Sequence, residues 1–423
     1  MLDIRFIREN PDIVKKAVQN KNSDVDIDKL LEVDEKRRKF IGQVDDFRAK
    51  QNLVSDQIAQ EKDENIRSEK IEEMQHLKRD LHDVEGHLAE IELEFKSMMM
   101  EVPNIPFDDV PVGRDESFNE VLREVGDRPK FSFEPKDYMT LAQTHDWIDV
   151  ERASKIAGTR FSYLRRDLPL LEFAIVTYTM NKLAEHGFIP CLPPVFIKPE
   201  YMDAMGFLHG ATKDDVYFLE QDQMYLVGTS EQSIGPMHAG ETLPREYLPL
   251  RYAGFSTCFR REAGSYGKDT KGILRVHQFD KVEMISFSAP EKSREEHKFL
   301  LSLNEAMMQE LGLPYRVIHI CTGDLGLSKA EQFDIETWIP SEGRYRETHS
   351  ASNTTDFQAR RLGIKTKNEE GDTVLVHMLN DTAFAIGRIL IAIIENFQQE
   401  DGSVRIPDAL VPYFGAEVMP KSK

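Results

Sequence analysis

The chain has only three cysteines in 423 residues, Cys191, Cys258 and Cys321, set far apart and with no CxxC pair. That spacing excludes a disulfide framework, offers no cysteine-based zinc site and fits a reduced, cytoplasmic compartment. All three are expected as small core residues. No apolar run approaches the ~20 residues of a membrane span. The first ten residues mix charges with single apolar side chains and lack a signal-peptide core. Internal repeats and low-complexity tracts are absent too. A basic excess is also lacking: 54 Lys and Arg stand against 74 Asp and Glu, a formal net charge of -20. This argues at first sight against nucleic acid, yet binding depends on local patches, so an acidic chain with one basic stripe stays compatible with RNA. The length exceeds one ordinary core and implies two or three domains.

Proline is missing between Pro11 and Pro103, and the clearest periodicity lies in that interval. Residues 1 to about 26 read as an amphipathic cap, with Asn10-Pro11 marking a helix start. Leu30, Val33, Arg37, Phe40, Val44, Phe47, Gln51, Val54 and Ile58 then alternate steps of three and four. After a polar break over 60–68 the pattern resumes from Ile71 to Met98. Two such runs predict an antiparallel coiled-coil hairpin over about 29–100, with arms of roughly 45 Å. Lys36-Arg37-Arg38-Lys39, Arg48 and Lys50 lie on the first run, interleaved with Glu35, Asp45 and Asp46. The pattern suits a solvated spacer as readily as an RNA grip.

Val102-Pro103-Asn104-Ile105-Pro106 closes this region, 1–102. Residues 103–150 read as a loop-rich connector ending in a helix near Asp137 to Trp147. From 151 to 423, helices are expected at Pro169–His186, Lys292–Leu311 and Ala383–Gln399. Strands are expected at Tyr217–Leu219, Met224–Val227, Phe255–Arg260, Ile273–Ile285, Arg316–Ile320, Asp334–Ile339 and Val374–Leu379. The fold class is therefore α+β: a helical hairpin followed by an antiparallel sheet with flanking helices.

The most informative stretch is Phe259-Arg260-Arg261-Glu262-Ala263-Gly264, continuing through Gly267 and Lys268 to Arg275-Val276-His277-Gln278-Phe279-Asp280-Lys281-Val282-Glu283. Arg260 and Arg275 offer planar forks for phosphate oxygens, and Phe279 offers a ring that can stack on a base. Glu262 and Glu283 can accept from an amine or ammonium. Alternation gives His277 a structural role. A salt-bridged surface hairpin is the bland alternative. These residues resemble motif 2 of the class II aminoacyl-tRNA synthetases, in wording close to the seryl-tRNA synthetase family, and the resemblance extends over nearly the whole chain.

By that resemblance, motif 1 covers about 169–194, motif 2 about 255–285 and motif 3 about 376–399. Motif 1, ending in Phe188-Ile189-Pro190-Cys191-Leu192-Pro193-Pro194, would form a homodimer. The resemblance also implies the site residues. Thr229, Glu231, Arg260, Glu283, Asn380 and Thr382 would bind L-serine, Arg260 being catalytic. Arg260, Arg261, Glu262, Arg275, Val276, Phe279, Glu347, Thr348, His349, Ser350 and Arg388 would bind ATP. Glu347 and Ser350 would hold Mg²⁺, whose preference is for hard oxygen ligands. The motif 2 loop, Gly264 to Gly272, would change shape between ATP binding and entry of the acceptor end. Arg37, Arg38, Arg48 and Lys50 would meet the serine tRNA. The implied activity is ATP-dependent ligation of L-serine to serine tRNA through a seryl adenylate, and serylation of selenocysteine tRNA where the organism has one. A small polar substrate has to be selected by satisfied hydrogen bonds rather than by apolar area. Asp381 departs from the family, which usually has Gly or Ser there, and is expected to face a solvated turn. A carrier-protein-loading paralogue and a non-catalytic interaction protein are the rival readings.

Overall fold

The computed structural model describes residues 1–209, 213–263 and 272–419. They form two compact units dividing between Pro103 and Asn104. The first is helical. Ile4–Glu9 and Pro11–Asn20 are short helices, the latter with proline in its first turn, where no donor is lost. Helices α1 (Ile27–Gln60) and α2 (Glu64–Glu101) then run antiparallel. At ~1.5 Å per residue they are about 50 Å and about 57 Å long, more than the periodicity alone implies. The break is also shorter than expected. Asp63 accepts from the amides of Asn65 and Ile66, so this N-cap starts α2 well before its first seam residue.

Leu30, Val33, Val44 and Val54 are buried, whereas Met74, Leu77, Leu81, Val84, Leu88, Ile91, Phe95 and Met98 are half-buried. A two-helix seam covers each side chain from one side only, which explains the partial burial. Arg37 occupies a seam position by laying its guanidinium over the Phe95 ring, 4.9 Å from its centroid.

The second unit is built on an eight-stranded sheet. Its strands are β1 (Glu120–Val125), β2 (Ile189–Cys191), β3 (Leu250–Phe259), β4 (Gln278–Ser288), β5 (Tyr315–His319), β6 (Glu331–Ile339), β7 (Arg344–Asn353) and β8 (His377–Ala385). Their order is β1-β5-β6-β7-β8-β4-β3-β2, and every pairing but β2–β3 is antiparallel. Helices α3 (Leu168–Glu185), α4 (Ser293–Glu310) and α5 (Ile386–Asn396) share a core with the sheet, including Leu171, Ile175, Leu300, Met307, Ile389 and Ile393 against Met284, Ala351 and Phe384. With Met284 and Ala351 turned to that core, alternation turns Glu283, Ser350, Ser352 and Thr382 to the other face.

Several boundaries differ from expectation. The second motif 2 strand begins at Gln278, because residues 272–277 form turns. The expected strand at 374–379 is two elements, Thr373–Leu375 and β8, and the expected helix start at Ala383 belongs to β8. The connector contributes β1 to the sheet edge, paired with β5, as well as the helix Tyr138–His145.

Candidate active site

The middle strands carry most of the residues that the sequence singled out. Gly254 of β3 faces Glu283 of β4, and Glu283 faces Thr382 of β8. Thr382 Oγ1 donates to Glu283 Oε2 at 3.2 Å. Lys281, two residues before Glu283 and on the same face, pairs with the Glu283 carboxylate; its Nζ also lies 3.4 Å from Thr382 Oγ1. Both members of this ion pair are buried. In the sequence Lys281 is one charged residue of the motif among several, with nothing to mark this role.

Thr229 and Glu231 arrive from the segment after a small three-stranded sheet of Phe196–Ile197, Tyr217–Leu219 and Met224–Leu226. Glu231 is buried and accepts from Gln358 Nε2 at 2.9 Å. Burial, reinforced by the neighbouring Glu283 charge, holds its carboxyl above the ordinary range. Thr229 is 3% exposed, and its Oγ1 has no hydrogen-bond partner among the described residues. A buried hydroxyl without a partner, two positions from a buried carboxyl, calls for an explanation, and a small polar ligand would supply one. Asn380 shares the face of Thr382, pairs across to Ser352 and Ile285, and is 7% exposed.

Arg260 stands at the end of β3, its Nε donating to the Gly228 carbonyl at 3.2 Å and its guanidinium 5.3 Å from the Phe279 ring centre. One face of Phe279 is thus already covered. His277 does the structural work expected of it: the Arg260 amide donates to its carbonyl at 3.0 Å, and its Nδ1 lies 2.9 Å from the Arg260 carbonyl. Arg275 pairs with Glu262 at 2.8 Å, and Glu262 sits at φ 54°. Arg261 is drawn to the small sheet: its Nε donates to the Val216 carbonyl at 3.0 Å, and its guanidinium lies 4.5 Å from the Tyr217 ring centre. Val276 is buried apolar packing. The motif 2 loop from Gly264 lies outside the described residues, save Gly272. This last glycine has φ +73°, and a Cβ there would fall 2.0 Å from the Tyr138 hydroxyl, so no other residue fits without a shift.

A bulge shapes the other end of the site. Ile335 pairs with His349 and Glu336 with Glu347, leaving Thr348 as the extra residue of β7. The bulge places Glu347 and Ser350 on one face, three positions apart, where unbroken alternation would part them. It also turns the Thr348 and His349 side chains into the protein. Thr348 Oγ1 lies 2.7 Å from Thr337 Oγ1 and donates to the Ile335 carbonyl at 3.2 Å, while the His349 ring packs edge-on to Phe384. Burial pushes His349 down to about 3, so it is neutral. With their side chains turned inward, it is the backbone of these two residues that is left for a nucleotide.

Glu347 is half exposed, and Arg388 Nη1 reaches both its carbonyl, at 2.6 Å, and its carboxylate, at 3.3 Å. The surrounding protein would raise this carboxyl, but Arg388 first, then Arg260 and Lys329, hold it below the ordinary range. Asp334 faces Ser350 across the ladder. Burial, with the Glu347 charge next, pushes Asp334 up to about 7. Glu347 and Ser350 present oxygen donors on an open face, and among the described residues no cluster of three or more His, Cys, Asp or Glu side chains is poised as a cage. Two protein oxygens suit a Mg²⁺ that keeps waters and takes phosphate oxygens.

Asp381 was expected at a solvated turn. It lies instead in mid-strand, fully buried, on the helix side of β8, where Asn304 of α4 donates to it at 2.7 Å. The Asn-Asp-Thr wording suggests a turn, but pairing on both sides of β8 overrides it.

Comparison with known proteins agrees with this geometry. A family model described as the seryl-tRNA synthetase N-terminal domain matches residues 1–106. Another, the tRNA synthetase class II core domain (G, H, P, S and T), matches residues 217–397. The serine–tRNA ligase of Rubrobacter xylanophilus is 40% identical over 419 residues, 99% of each chain. That of Dictyoglomus turgidum is 41% identical over all of both chains. Among solved structures, the seryl-tRNA synthetase of Pyrococcus horikoshii complexed with ATP superposes with a TM-score of 0.91 at 35% identity, covering 100% of each chain. The cytoplasmic serine–tRNA ligase of Naegleria fowleri in complex with AMP gives 0.86 at 31% identity, covering 100% of this chain and 99% of that one. With both units matched and full-length relatives at this identity, the chain belongs to the seryl-tRNA synthetase family.

Proposed function

We propose that this serine–tRNA ligase works in two steps through a seryl adenylate. The observation that carries the reading is the buried Thr229 hydroxyl, without a hydrogen-bond partner among the described residues, two positions before a Glu231 whose carboxyl feels the Glu283 charge. Glu231, Glu283 and Lys281 bring two carboxyl groups and one ammonium to the pocket, a set that would leave one net negative charge for the ammonium of a bound amino acid. Thr229 Oγ1 and Thr382 Oγ1 are left to meet the serine hydroxyl. Asn380 completes the same wall.

In the first step the serine carboxylate, ionised at neutral pH, attacks the α-phosphate of ATP in line and pyrophosphate leaves. No side-chain base is needed. Arg260, fixed at both backbone and Nε, holds carboxylate and phosphate together, turning an encounter into a positioned reaction. Arg260, Arg275 and Arg388 stabilise the charge that develops on phosphate oxygens. Glu262 and Phe279 would recognise the base, Glu262 as an acceptor and Phe279 as a stacking ring. Glu347 and Ser350 would hold the Mg²⁺, which supplies neutralisation of the phosphate charge when bound. In the second step the terminal ribose hydroxyl of the tRNA attacks the seryl carbonyl and AMP leaves.

The helical hairpin is the proposed tRNA arm. Arg38 and Arg48 are 52% and 60% exposed, paired with Asp34 and Glu85. Arg37 pairs with Glu92, and Lys50 lies over Phe47. The exposed Arg48–Glu85 pair is of the surface kind that contributes ~0–1 kcal/mol, so exchanging Glu85 for an RNA phosphate costs little, whereas Asp34 is fully buried and has Arg8 as a second partner. The stripe would read double-helical RNA by shape and backbone, which extends the reading to selenocysteine tRNA. Leu170, Phe173, Ile189 and Leu192 of the motif 1 region are exposed, and a second copy of the chain would cover them. Serine-dependent ATP–pyrophosphate exchange, run against all twenty amino acids and followed by charging of total tRNA, tests the proposal. Exchange with serine alone and charging of serine tRNA is the expected result. Exchange without tRNA charging would favour a carrier-loading enzyme.

A further inference from the structure

Asn304 and Asp381 meet behind the serine wall in an unusual state of satisfaction. Asn304 Nδ2 donates to Asp381 Oδ1 at 2.7 Å and to the Thr382 carbonyl at 3.1 Å. Both residues are completely buried. The two remaining oxygens, Asp381 Oδ2 and Asn304 Oδ1, have no hydrogen-bond partner among the described residues. If Asp381 were ionised, both would be buried acceptors with nothing to accept, a costly arrangement. One proton resolves it. A carboxylic acid is a donor, and an acid facing a primary carboxamide forms two opposed hydrogen bonds, N–H to Oδ1 and O–H to the amide oxygen.

We propose that Asp381 is a positioning residue for the serine pocket: as a neutral acid paired with the Asn304 carboxamide, it fixes the Thr382 backbone and so sets the Thr382 hydroxyl against Glu283. The inference rests on the assignment of Thr382 and Glu283 to serine.

The surroundings favour the neutral form. The charged groups whose fields reach Asp381 lie elsewhere in the sheet: Glu283 and Lys281 on the other face of the neighbouring strand β4, and Asp334 on β6, two strands away. Asn304 is its partner on α4. Burial first, then the Glu283 charge, holds the carboxyl well above its ordinary range, against the opposing pull of the Asn304 hydrogen bond and Lys281. Neutrality also suits the chemistry in front of it. An ionised Asp381 would add a second uncompensated negative charge behind a pocket already matched to one ammonium. The site of anchorage matters as well. Ladder register shifts between Thr382 and Phe384, so the β4–β8 ladder alone does not hold this stretch, and the Asn304 bond supplies the missing fixation.

Steady-state exchange kinetics test the proposal on Asp381→Asn and Asp381→Ala. An amide at 381 reproduces both hydrogen bonds of the neutral acid, so D381N should keep a serine KM within about twofold of the parent. D381A leaves the Asn304 amide without its partner and should raise serine KM about tenfold or more, with ATP KM little changed. Parent-like serine KM in D381A overturns the positioning role, and so does a D381N variant as impaired as D381A. Thr382→Ala, assayed alongside, separates the two readings. A raised serine KM in T382A with parent behaviour in D381A defeats the positioning role alone; parent behaviour in both defeats the pocket assignment on which it rests. Thermal unfolding of D381N checks the protonation without any assay of activity. The neutral acid in the fold must lose its proton in the unfolded chain as pH rises, so the parent loses stability that D381N keeps. The gap in Tm should widen from about pH 5 to about pH 8. A gap independent of pH overturns the neutral acid.

Discussion

Arg388 grips Glu347 twice, donating to its carbonyl at 2.6 Å and lying 3.3 Å from its carboxylate. The pair joins the start of α5 to the bulge of β7, and the Arg388 charge leads in holding the Glu347 carboxyl below its ordinary range. Because the folded carboxyl is held low, whatever depends on its charge persists as pH falls to below the ordinary carboxylate range. Arg388→Ala removes the principal lowering charge, so the acid limb of serine-dependent exchange should move to higher pH. Loss of a charge-assisted contact of about 1.5–3 kcal/mol corresponds to a roughly ten- to hundredfold fall in kcat/KM for ATP. An acid limb that stays in place while the variant remains folded would show that Arg388 does not set the Glu347 charge.

Thr229→Val tests the observation on which the function rests. Valine keeps the shape and removes the buried, unpartnered hydroxyl. Without ligand the change should leave Tm equal or higher, since an unsatisfied buried hydroxyl costs ~1–3 kcal/mol. Serine KM should rise about tenfold or more, because the ligand loses its hydrogen bond. A clear fall in Tm with unchanged serine KM would mean that Thr229 is packing and that another group selects the substrate.

The α1–α2 hairpin was legible because a three-four step of apolar residues is a local signal, and Asn10-Pro11 marked the start of the short Pro11–Asn20 helix for a similarly local reason. Site residues within one run of sequence were legible too, such as Arg260 and Glu283. Lys281 lay in plain view in that run, but its burial against Glu283 depends on β8 covering β4. The Thr348 bulge could not be read, since period-two reasoning parts Glu347 from Ser350. Asn304 and Asp381 are 77 positions apart, on a helix and a strand, and no local pattern joins them. The bond from Gln358 to Glu231 spans 127 positions. Contacts made by folding across long loops leave no spacing to find.

Lys281→Met should show how much the buried Lys281–Glu283 pair matters to the fold. Removing one partner strands a buried carboxylate, and about 3–5 kcal/mol of stability should be lost. Combining it with Glu283→Gln removes the stranded charge and should recover most of that stability. Serine-dependent exchange should remain abolished in the double variant, since the ammonium then has lost an acceptor. Denaturant melts of the single and double variants decide the first point; equal stability losses in both would show that the pair acts as packing and not as charge.

Phe173→Asp addresses the exposed motif 1 face. Phe173 is 61% exposed and Leu192 77%, so a charge there should leave the isolated chain's Tm nearly unchanged. The proposed dimer through this face predicts that sedimentation equilibrium finds a dimer for the parent and a monomer for the variant, because a carboxylate buried across a two-fold interface would meet its own copy. A variant that remains dimeric would place the interface elsewhere.

Deletion of residues 29–100 separates the two halves of the enzyme's task. The cut lies within the Leu2–Pro103 unit, and every residue assigned to serine, ATP or Mg²⁺ lies beyond it. Serine-dependent ATP–pyrophosphate exchange should therefore survive within about threefold, while charging of serine tRNA falls by about two orders of magnitude or more. A milder version replaces Arg38 and Arg48 with alanine. Each arginine that meets an RNA phosphate contributes to the salt dependence of binding, so the double variant should bind serine tRNA more weakly and with a shallower slope against salt, by about 1.5–2 units for the pair. Loss of exchange on deletion would mean that the hairpin is needed for the catalytic unit itself. An unaltered salt slope in the double variant would place the RNA contacts on other hairpin residues.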